Sequence, residues 1–360
     1  MVVASHAPNP VTTGAHSECG GSAAHAGWTY EASGVSIAAA DEVVARIRPH
    51  VARTARPEVL GGVGGFAGLF QLDLGRWRQP VLVSATDGVG TKLELARALG
   101  RHEGVGVDLV AMVVDDLVCA GAEPLFFLDY VAVGRVDPAH VEQVVASIAA
   151  GCAQAGCALV GGETAEHPGV LAADQYDLAG FGVGIVERDG LLRPERVRAG
   201  DALVAMASSG LHANGFSLVR RVTAGRDLAA EHGLGEPLAG ALLRPARIYA
   251  RDCLALISAA EVRALCHVTG GGIVGNLPRV LPPGLGAVID TGTWEVPPVF
   301  RLLQRWGGID DAECWRVFNQ GVGMVAVVRD GAGAVEFLRG RGVGAWVCGE
   351  VAPGEGVRLR

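Results

Sequence analysis

The chain has 360 residues and a formal net charge of −8, and half of its residues are hydrophobic. This length is too great for one ordinary core and predicts two domains, while the acidic balance argues against a general nucleic-acid or anionic-membrane surface. The eight cysteines form no C-x-x-C pair and no zinc pattern, so we expect reduced core cysteines in a cytoplasmic protein. No stretch of about 18 residues is apolar without charges or glycine breaks, so the sequence predicts no membrane span.

The beginning of the chain is rich in Ala, Gly, Ser and His and contains no apolar segment of the kind found in secretory signals. We therefore predict a disordered tail over residues 1–29, in which His6, His16 and His25 are solvated rather than bound to a metal. Apolar runs of helical and strand period then alternate over residues 30–189, which predicts a mixed α/β domain.

The first predicted helix, residues 35–51, is followed by a glycine-rich segment with the sequence GGVGGF at residues 61–66. A segment of this kind is either a flexible linker or a flap that closes over a bound nucleotide. Because Phe66 and the apolar run after it favour docking against the protein, we predict a flap.

The turn from Thr86 to Lys92, with the sequence TDGVGTK, lies between a β-branched run at 81–85 and a helical pattern at 91–99. A strand, a glycine turn and a helix together can hold phosphate, because the N–H groups at a helix start point toward an anion. The spacing is not that of a Walker A loop, and an acid at Asp87 beside phosphate-holding amides indicates a bridging metal. The alternative is a tight turn with a surface lysine.

A helix is predicted over residues 107–120, and its acids are candidates for binding a metal. Asp108 and Asp115 are seven residues apart, so a helix places them on one face, with Asp116 about a quarter turn away. Asp87 stands at the carboxyl end of a strand, where ligands of α/β proteins usually bind. A cluster of these acids needs a cation, which indicates Mg²⁺. The alternative is that Asp108 only begins the helix and Asp116 is solvated.

The short strand predicted at 158–160 ends in two glycines and then presents Glu163, Glu166 and His167. Because a purely structural turn would not need this density of polar side chains, we predict a functional turn. The other elements predicted in this domain are the strand 124–133, the helix 138–155 and the strand 176–187.

A charged, proline-containing stretch near residue 190 predicts a boundary, so we expect the second domain over residues 190–360. Its loop 208–215 offers hydroxyls, an imidazole and a carboxamide for phosphate binding or acid/base chemistry. The alternative is an ordinary Asn-Gly turn.

A second loop in this domain contains three glycines at 270–272, which precede a helix and predict an anion nest. His267 lies just upstream, and the sequence leaves open whether it belongs to the site or is a core residue of a strand. The other predicted elements are strands at 201–207, 287–289, 323–328 and 345–351 and helices at 216–222 and 299–306.

Several of these strings occur in the order that they have in one known family. The chain resembles the phosphoribosylformylglycinamidine cyclo-ligases, also called aminoimidazole ribonucleotide (AIR) synthetases, from about Tyr30 to the C-terminus. The string GAEPLFFLDY at 121–130 is specific to this family, whereas the Asp-Gly and Thr-Gly-Gly-Gly motifs are shared across a larger ATP-using superfamily. The other matching strings are GGVGGF at 61–66, TDGVGTK at 86–92, LVGGETAE at 159–166, SSGLHANGFSLVR at 208–220, TGGG at 269–272 and FNQGVGM at 318–324.

The resemblance implies a two-domain α/β synthetase fold, in which the N-terminal mixed sheets of a homodimer pair into a shared barrel and the C-terminal domain is an α/β sandwich. It implies ATP-dependent closure of formylglycinamidine ribonucleotide to 5-aminoimidazole ribonucleotide in purine biosynthesis. ATP and Mg²⁺ are the implied cofactors, and a requirement for K⁺ stays open. The alternatives are an ATP-dependent paralogue that acts on a related amide or amidine, and a non-catalytic nucleotide-binding subunit.

Candidate site residues also follow from the resemblance. It implies that Asp87, Asp108 and Asp115 hold Mg²⁺ and the ATP phosphates, and that the catalytic residues are His212, Lys92 and Asn214. The implied ATP-binding residues are Gly61, Gly62, Gly64, Gly65, Asp87, Gly88, Gly90, Thr91 and Lys92, and the implied substrate-binding residues are Glu163, His212, Asn214, Thr269, Gly270, Gly271 and Gly272.

Three positions depart from the family pattern. Asp115 stands where many members carry Asn, so metal ligation stays available and a charge is added. Ala213 replaces a frequent Ser, which removes a hydrogen bond to phosphate, and Ser36 replaces an Asp often found there. These changes bear on individual site residues and leave the predicted reaction as it is.

Overall fold

The structure is a computed structural model that describes residues 29–62 and 64–360. Apart from Thr29, the predicted disordered tail and its three histidines lie outside the described residues, as does Val63 of the predicted flap.

The N-terminal domain contains four helices and four strands within the described part of the chain. Local signals explain their ends: the helix that begins at Pro138 has Asp137 as its N-cap, whose Oδ1 accepts from the backbone N of Ala139 at 3.0 Å. The same helix ends at Gly156, which has φ +84°. The elements are α1 (Ile37–Ala52), β1 (Pro80–Gly88), α2 (Lys92–Leu99), α3 (Val105–Cys119), β2 (Glu123–Val133), α4 (Pro138–Ala155), β3 (Ala158–Glu166) and β4 (Tyr176–Glu187).

The four strands form one mixed sheet in the order β1-β4-β2-β3, with β2 and β3 parallel and the other neighbours antiparallel. Helix α3 packs on β1, β4 and β2, while α1 and α4 pack on β3. No described element shields the exposed apolar side chains of the other face, since Leu82 is 59% exposed and Tyr130 and Phe181 are each 40% exposed. Within one chain the sheet is therefore open rather than closed into a barrel.

Strand β3 is longer than the sequence predicted, because Gly161 and Gly162 lie within it rather than in a turn. The reason is the neighbouring strand, where Asp129 is paired in register with Gly162. A Cβ atom at Gly162 would lie 1.5 Å from Asp129 Oδ1, so only glycine leaves room for this carboxyl group. Glu163 therefore lies on a strand, and the predicted functional turn begins only at His167.

The C-terminal domain has a six-stranded sheet in the order β10-β7-β9-β5-β8-β6. The predicted strands and the helices at 216–222 and 299–306 are confirmed, whereas several further helices were not predicted. The predicted two-domain α/β class is also confirmed. The elements are β5 (Ala202–Ala207), α5 (Phe216–Val222), α6 (Leu238–Leu243), α7 (Ala250–Ala259), β6 (Val262–His267), α8 (Gly272–Asn276), β7 (Leu285–Ile289), α9 (Pro298–Gly307), α10 (Asp311–Val317), β8 (Val322–Val328), α11 (Gly331–Gly340), β9 (Ala345–Pro353) and β10 (Val357–Leu359).

One hydrophobic core continues from the first domain into the second. Leu109 of α3, Phe216 of α5 and Leu242 of α6 are all buried in the same cluster. The domains therefore share a packed interface, and the boundary at residue 190 stays a prediction. Within the described ranges, no helix is both long and apolar enough to cross a membrane.

The contact between α3 and α4 predicts a stability change. A Cβ atom at Gly106 would lie 2.2 Å from the backbone N of Ile148, so Gly106→Ala must push the two helices apart. We expect a loss of about 1–3 kcal/mol in the free energy of unfolding, the usual cost of overpacking. Urea unfolding followed by circular dichroism measures it. Gly275→Ala in α8 is the control, because no atom lies within 4 Å of its new Cβ; equal losses in both variants would contradict the argument.

Candidate active site between the two domains

The turn after β1 contacts the second domain through Thr91, near the end of the turn. Gly90 has φ +69°, a conformation that favours glycine, and helix α2 follows directly. Asp87 is exposed, and its Oδ1 accepts from the backbone N of Gly88 at 2.7 Å. The hydroxyl oxygens of Thr91 and Ser217 lie 3.0 Å apart, which connects the turn to α5. Desolvation raises the pKa of Asp87, and the charge of Asp116 adds to the shift.

Lys92 is buried in an ion pair with Asp108, and both side chains are 0% exposed. The ammonium Nζ donates to Asp108 Oδ1, to the His212 carbonyl and to the Arg244 carbonyl, each at 2.9 Å. Asp108 Oδ2 lies 2.7 Å from the same nitrogen. Burial lowers the pKa of Lys92 and raises that of Asp108, and the ionic contact opposes both shifts. The structure therefore places Lys92 on protein oxygens, where the sequence predicted phosphate.

The two acids that the helix spacing placed on one face of α3 do lie together on the side that meets the second domain. Asp108 Oδ1 accepts from the backbone N of Ala246 at 2.8 Å, and Asp115 Oδ1 accepts from that of Tyr249 at 2.9 Å. Both carboxyl groups are buried. Burial raises the pKa of Asp115 to about 7, and its Oδ2 has no hydrogen-bond partner among the residues described.

The predicted metal ligands are not gathered into one metal-binding group. Asp87 is exposed in the cleft, whereas Asp108 is occupied by Lys92 and Asp115 faces the backbone of the second domain. Within residues 29–62 and 64–360, no group of three or more His, Cys, Asp or Glu side chains is arranged to hold a metal ion. In one chain these three carboxylates therefore do not fit a shared Mg²⁺.

His267 ends strand β6, as expected, and pairs with an acid outside the predicted set. Its Nδ1 lies 3.0 Å from Asp116 Oδ1, and Asp116 is 47% exposed. Burial alone would lower the pKa of His267, but the Asp116 hydrogen bond and the charges of Asp115, Asp116 and Asp87 outweigh it and raise the pKa. The sequence left open whether Asp116 joins the carboxylate cluster or is solvated, and the structure pairs it with His267.

His212 lies in the loop after β5 with a left-handed backbone, φ +60°. Its Nε2 accepts from the backbone N of Ser209 at 3.2 Å, which assigns the proton of the neutral ring to Nδ1. That Nδ1 has no hydrogen-bond partner in the described part of the chain. The ring is 1% exposed, and burial, together with the charges of His267, Lys92 and Arg247, lowers its pKa to about 3. His212 is therefore a neutral hydrogen-bond donor.

The loop of His212 and the triple-glycine loop meet, as expected for one binding site. A Cβ atom at Gly270 would lie 3.4 Å from Asn214 Oδ1. The glycine loop itself is held by Asn276, whose Nδ2 donates to the carbonyls of Gly272 at 2.8 Å and Gly270 at 3.2 Å. The sequence predicted only a helix after the three glycines and gave Asn276 no role. Its position just after three glycines is the signal that identifies it as a residue shaping the loop.

Asn319 is a second site-shaping residue that the sequence analysis missed. Its Nδ2 donates to the Gly210 carbonyl at 2.8 Å, and its Oδ1 accepts from Ser208 Oγ at 3.2 Å and from the backbone N of Gly321 at 2.9 Å. Asn319 is buried. The signal was a carboxamide three residues before an apolar strand, β8.

The predicted flap lies far from this cleft. Gly61, Gly62 and Gly65 line a cavity of about 520 Å³ together with the first residues of β3. The register aligns Asp87 with Gly162 across the sheet. Three strand spacings and four residues along β3 then separate Asp87 from Ala158, a distance on the order of 20 Å. In one chain the flap does not cover Asp87, and Glu163 lies on the strand farthest from it.

Two family models together cover most of the chain and show that it is a protein of the AIR synthase related class. The family model described as "AIR synthase related protein, N-terminal domain" matches residues 71–186, and the corresponding C-terminal domain model matches residues 198–360. The chain is 54% identical over 336 residues to the phosphoribosylformylglycinamidine cyclo-ligase of Myxococcus xanthus, which covers 92% of this chain and 97% of that protein. It belongs to the phosphoribosylformylglycinamidine cyclo-ligase family, and the predicted ligase class is confirmed.

A further relative agrees with this membership, and two solved structures share the fold. The cyclo-ligase of Geobacillus kaustophilus is 49% identical over 334 residues, with 91% of this chain and 96% of that protein covered. Thiamine-monophosphate kinase from Stenotrophomonas maltophilia superposes with a TM-score of 0.66 at 21% identity over 88% of this chain and 95% of its own. The structure of hydrogenase maturation protein HypE in complex with ATP superposes with a TM-score of 0.63 at 18% identity, over 87% of this chain and 86% of its own. At these identities the two structures show a shared fold.

The buried neutral state of His212 predicts a pH dependence of stability. A histidine has a pKa near 6.5 in the unfolded chain and about 3 here, so below pH 6.5 the unfolded state binds a proton that the folded state refuses. Stability is then lost as the pH falls from 6.5 toward 3, by about 2 kcal/mol at pH 5. Urea unfolding at pH 5 and pH 8 measures it against His212→Gln. The variant should lose about 2 kcal/mol less over this interval, and equal losses would contradict the assignment.

Proposed function

We propose that this chain closes the imidazole ring of formylglycinamidine ribonucleotide to give 5-aminoimidazole ribonucleotide, with ATP converted to ADP and phosphate, in cytoplasmic purine biosynthesis. The observation that carries the proposal is the identity of 54% to a named cyclo-ligase along 92% of the chain. The site geometry supports it, because the loop 208–215 and the start of α5 contact both the turn 86–92 and the glycine loop 269–272 where the two domains meet.

The proposed chemistry needs a donor for a developing oxyanion and amides for phosphate. The γ-phosphoryl group is transferred to the formyl oxygen, a substrate nitrogen then forms a bond to the formyl carbon, and the carbon–oxygen bond to phosphate breaks. His212 Nδ1–H is a neutral donor without a partner among the described residues, but its ring is buried. An oxygen of the activated amide would reach it once substrate binding opens the loop 208–215. In the glycine loop, Asn276 donates to the carbonyls of Gly270 and Gly272 and the backbone N of Gly272 donates to the Thr269 carbonyl. The backbone N–H groups of Gly270 and Gly271 would then be the donors to a phosphate group. Asn214, whose Oδ1 lies beside Gly270, would orient the substrate.

The nucleotide site would combine parts of two copies of the chain. Asp87 and the flap are on the order of 20 Å apart within one chain, and the cavity beneath the flap is lined mainly by aliphatic side chains and glycines. Such a cavity suits the base of ATP, while the glycine turn near Asp87 suits its phosphates. A homodimer that brings the flap of one copy to the turn of the other completes the site. Asp87, the one predicted metal ligand that is exposed, would hold Mg²⁺ beside the nucleotide phosphates, where the ion would neutralise their charge.

The homodimer itself is supported by the open face of the N-terminal sheet. Leu82, Phe181 and Tyr130 lie on neighbouring strands and remain exposed, although they are large and apolar. A contiguous apolar face of this kind marks an interaction site. Pairing two such faces would cover both and close the two four-stranded sheets into a barrel of eight strands.

The proposed activity is tested with purified protein, Mg-ATP and formylglycinamidine ribonucleotide, with the aminoimidazole product and ADP detected directly. We expect turnover, and Asp87→Asn should lower kcat/KM at least about tenfold, which corresponds to a lost charge contact of about 1.4 kcal/mol. Asp189→Asn is the matched control, because its side chain is 86% exposed and far from the cleft. Unchanged turnover in Asp87→Asn would refute the placement of the phosphate site.

The same assay separates the alternatives. A folded protein that binds ATP without turning over this substrate would indicate a paralogue acting on a related amide or amidine. A folded protein that binds no ATP would indicate a non-catalytic subunit.

The dimer is tested by charging the open face of the sheet. Phe181→Asp should shift the protein from dimer to monomer in analytical ultracentrifugation, because pairing would bury a carboxylate in an apolar interface. Turnover should fall with it, since each monomer lacks the partner's flap. Val170→Asp is the control, an exposed apolar residue in the turn after β3. A monomeric wild type, or a Phe181→Asp variant that dimerises as tightly as the wild type, would contradict the proposal.

A further inference from the structure

Lys92 and Asp108 contact three backbone groups of the second domain, and together we call these five groups the clasp. They are the Lys92 ammonium, the Asp108 carboxylate, the carbonyls of His212 and Arg244 and the backbone N–H of Ala246. The two charged side chains lie in the region matched by the N-terminal family model, and the three backbone groups lie in the region matched by the C-terminal one. The clasp therefore crosses the domain interface.

The clasp leaves Lys92 no donor for a ligand. An ammonium group has three N–H donors, and three protein oxygens at 2.9 Å accept them all. The side chain is 0% exposed and its Nζ also lies 5.4 Å from the ring centre of Phe216. A phosphate could reach Lys92 only if the domains first separated here. The geometry is that of a structural cation rather than of a lysine open to ATP.

One of the three acceptors belongs to the candidate catalytic histidine. His212 has φ +60°, which non-glycine residues rarely adopt and which persists only where the surroundings fix it. Lys92 holds the carbonyl of His212, and the backbone N–H of Ser209 holds its Nε2. These two contacts fix the backbone and the ring, so Nδ1 has a defined direction.

We propose that Lys92 is a positioning residue which, with Asp108, fixes the left-handed backbone of His212 across the domain interface, and that it is not a phosphate ligand. The proposal rests on the function proposed above for the cleft. It also explains why α3 carries two buried acids although they do not fit a shared metal ion. Asp108 and Asp115, seven residues apart, both accept backbone N–H groups of the segment 246–249, which makes their shared face a docking edge for the second domain.

The test compares wild type with Lys92→Met, which keeps a long side chain and removes the charge. We expect amide hydrogen exchange in segments 208–215 and 244–250 to become at least about tenfold faster, because the carbonyls of His212 and Arg244 lose their donor. We expect kcat to fall at least about tenfold while the Kd for Mg-ATP, measured by calorimetry, stays within about twofold. Arg97→Met is the matched control on the same helix, since Arg97 pairs with Glu94 and Asp174, and it should leave all three quantities unchanged.

A Kd for Mg-ATP that weakens at least tenfold with unchanged exchange would overturn the proposal and make Lys92 a phosphate ligand. If Lys92→Met does not fold because it strands the Asp108 charge, the double variant Lys92→Met/Asp108→Leu removes both charges together. The double variant should show the same faster exchange and the same intact ATP binding, and wild-type exchange in it would also overturn the proposal. If the wild type shows no turnover, the proposed function fails. The exchange and ATP-binding measurements still determine whether Lys92 holds the backbone of His212 or binds phosphate.

Discussion

The ion pair between Lys92 and Asp108 is the interaction on which the arrangement of the cleft depends. It is buried from water on all sides, so its charges need every contact that surrounds them. Those contacts come from backbone groups at His212, Arg244 and Ala246, more than a hundred residues further along the chain. A buried pair of this kind tolerates little displacement, because loss of one partner leaves an uncompensated charge. The relative position of the domains is therefore fixed at the point where the candidate catalytic histidine stands.

Elements with strong local signals could be predicted from the sequence with the bounds that the structure has. Helix α4 (Pro138–Ala155) and strand β4 (Tyr176–Glu187) are long, periodic and marked at their ends by capping or turn residues. Strand β3 was predicted too short, because two glycines ordinarily indicate a turn. The two glycines continue the strand because the carboxyl group of Asp129, on the neighbouring strand, fills the space beside Gly162. That contact is between strands distant in sequence, so no local pattern contains it.

In the site, too, local residue spacing could be predicted from the sequence, whereas contacts with residues distant in sequence could not. The seven-residue spacing correctly predicted that Asp108 and Asp115 share a face of α3. The chemistry assigned to the acids did not follow, because a carboxylate can be neutralised by a metal, a lysine or backbone N–H groups alike. Only the fold shows that the backbone of the second domain supplies the N–H groups. Likewise the positions of Asn276 and Asn319 beside their loops mark them as candidates, but only the fold identifies the carbonyls to which they donate.

Gly323 of β8 restricts which substitutions this site can accept during evolution. A Cβ atom there would lie 2.6 Å from Cε1 of His212 and 2.1 Å from the hydroxyl of Tyr249, so two rings occupy the space of one missing methyl group. Neither ring can move without disturbing the loop or the Tyr249 hydroxyl bond to the Ala207 carbonyl. Substitution at 323 is therefore coupled to both rings. A descendant that carries a side chain at this position must also have altered His212 or Tyr249, so the three positions evolve as one unit.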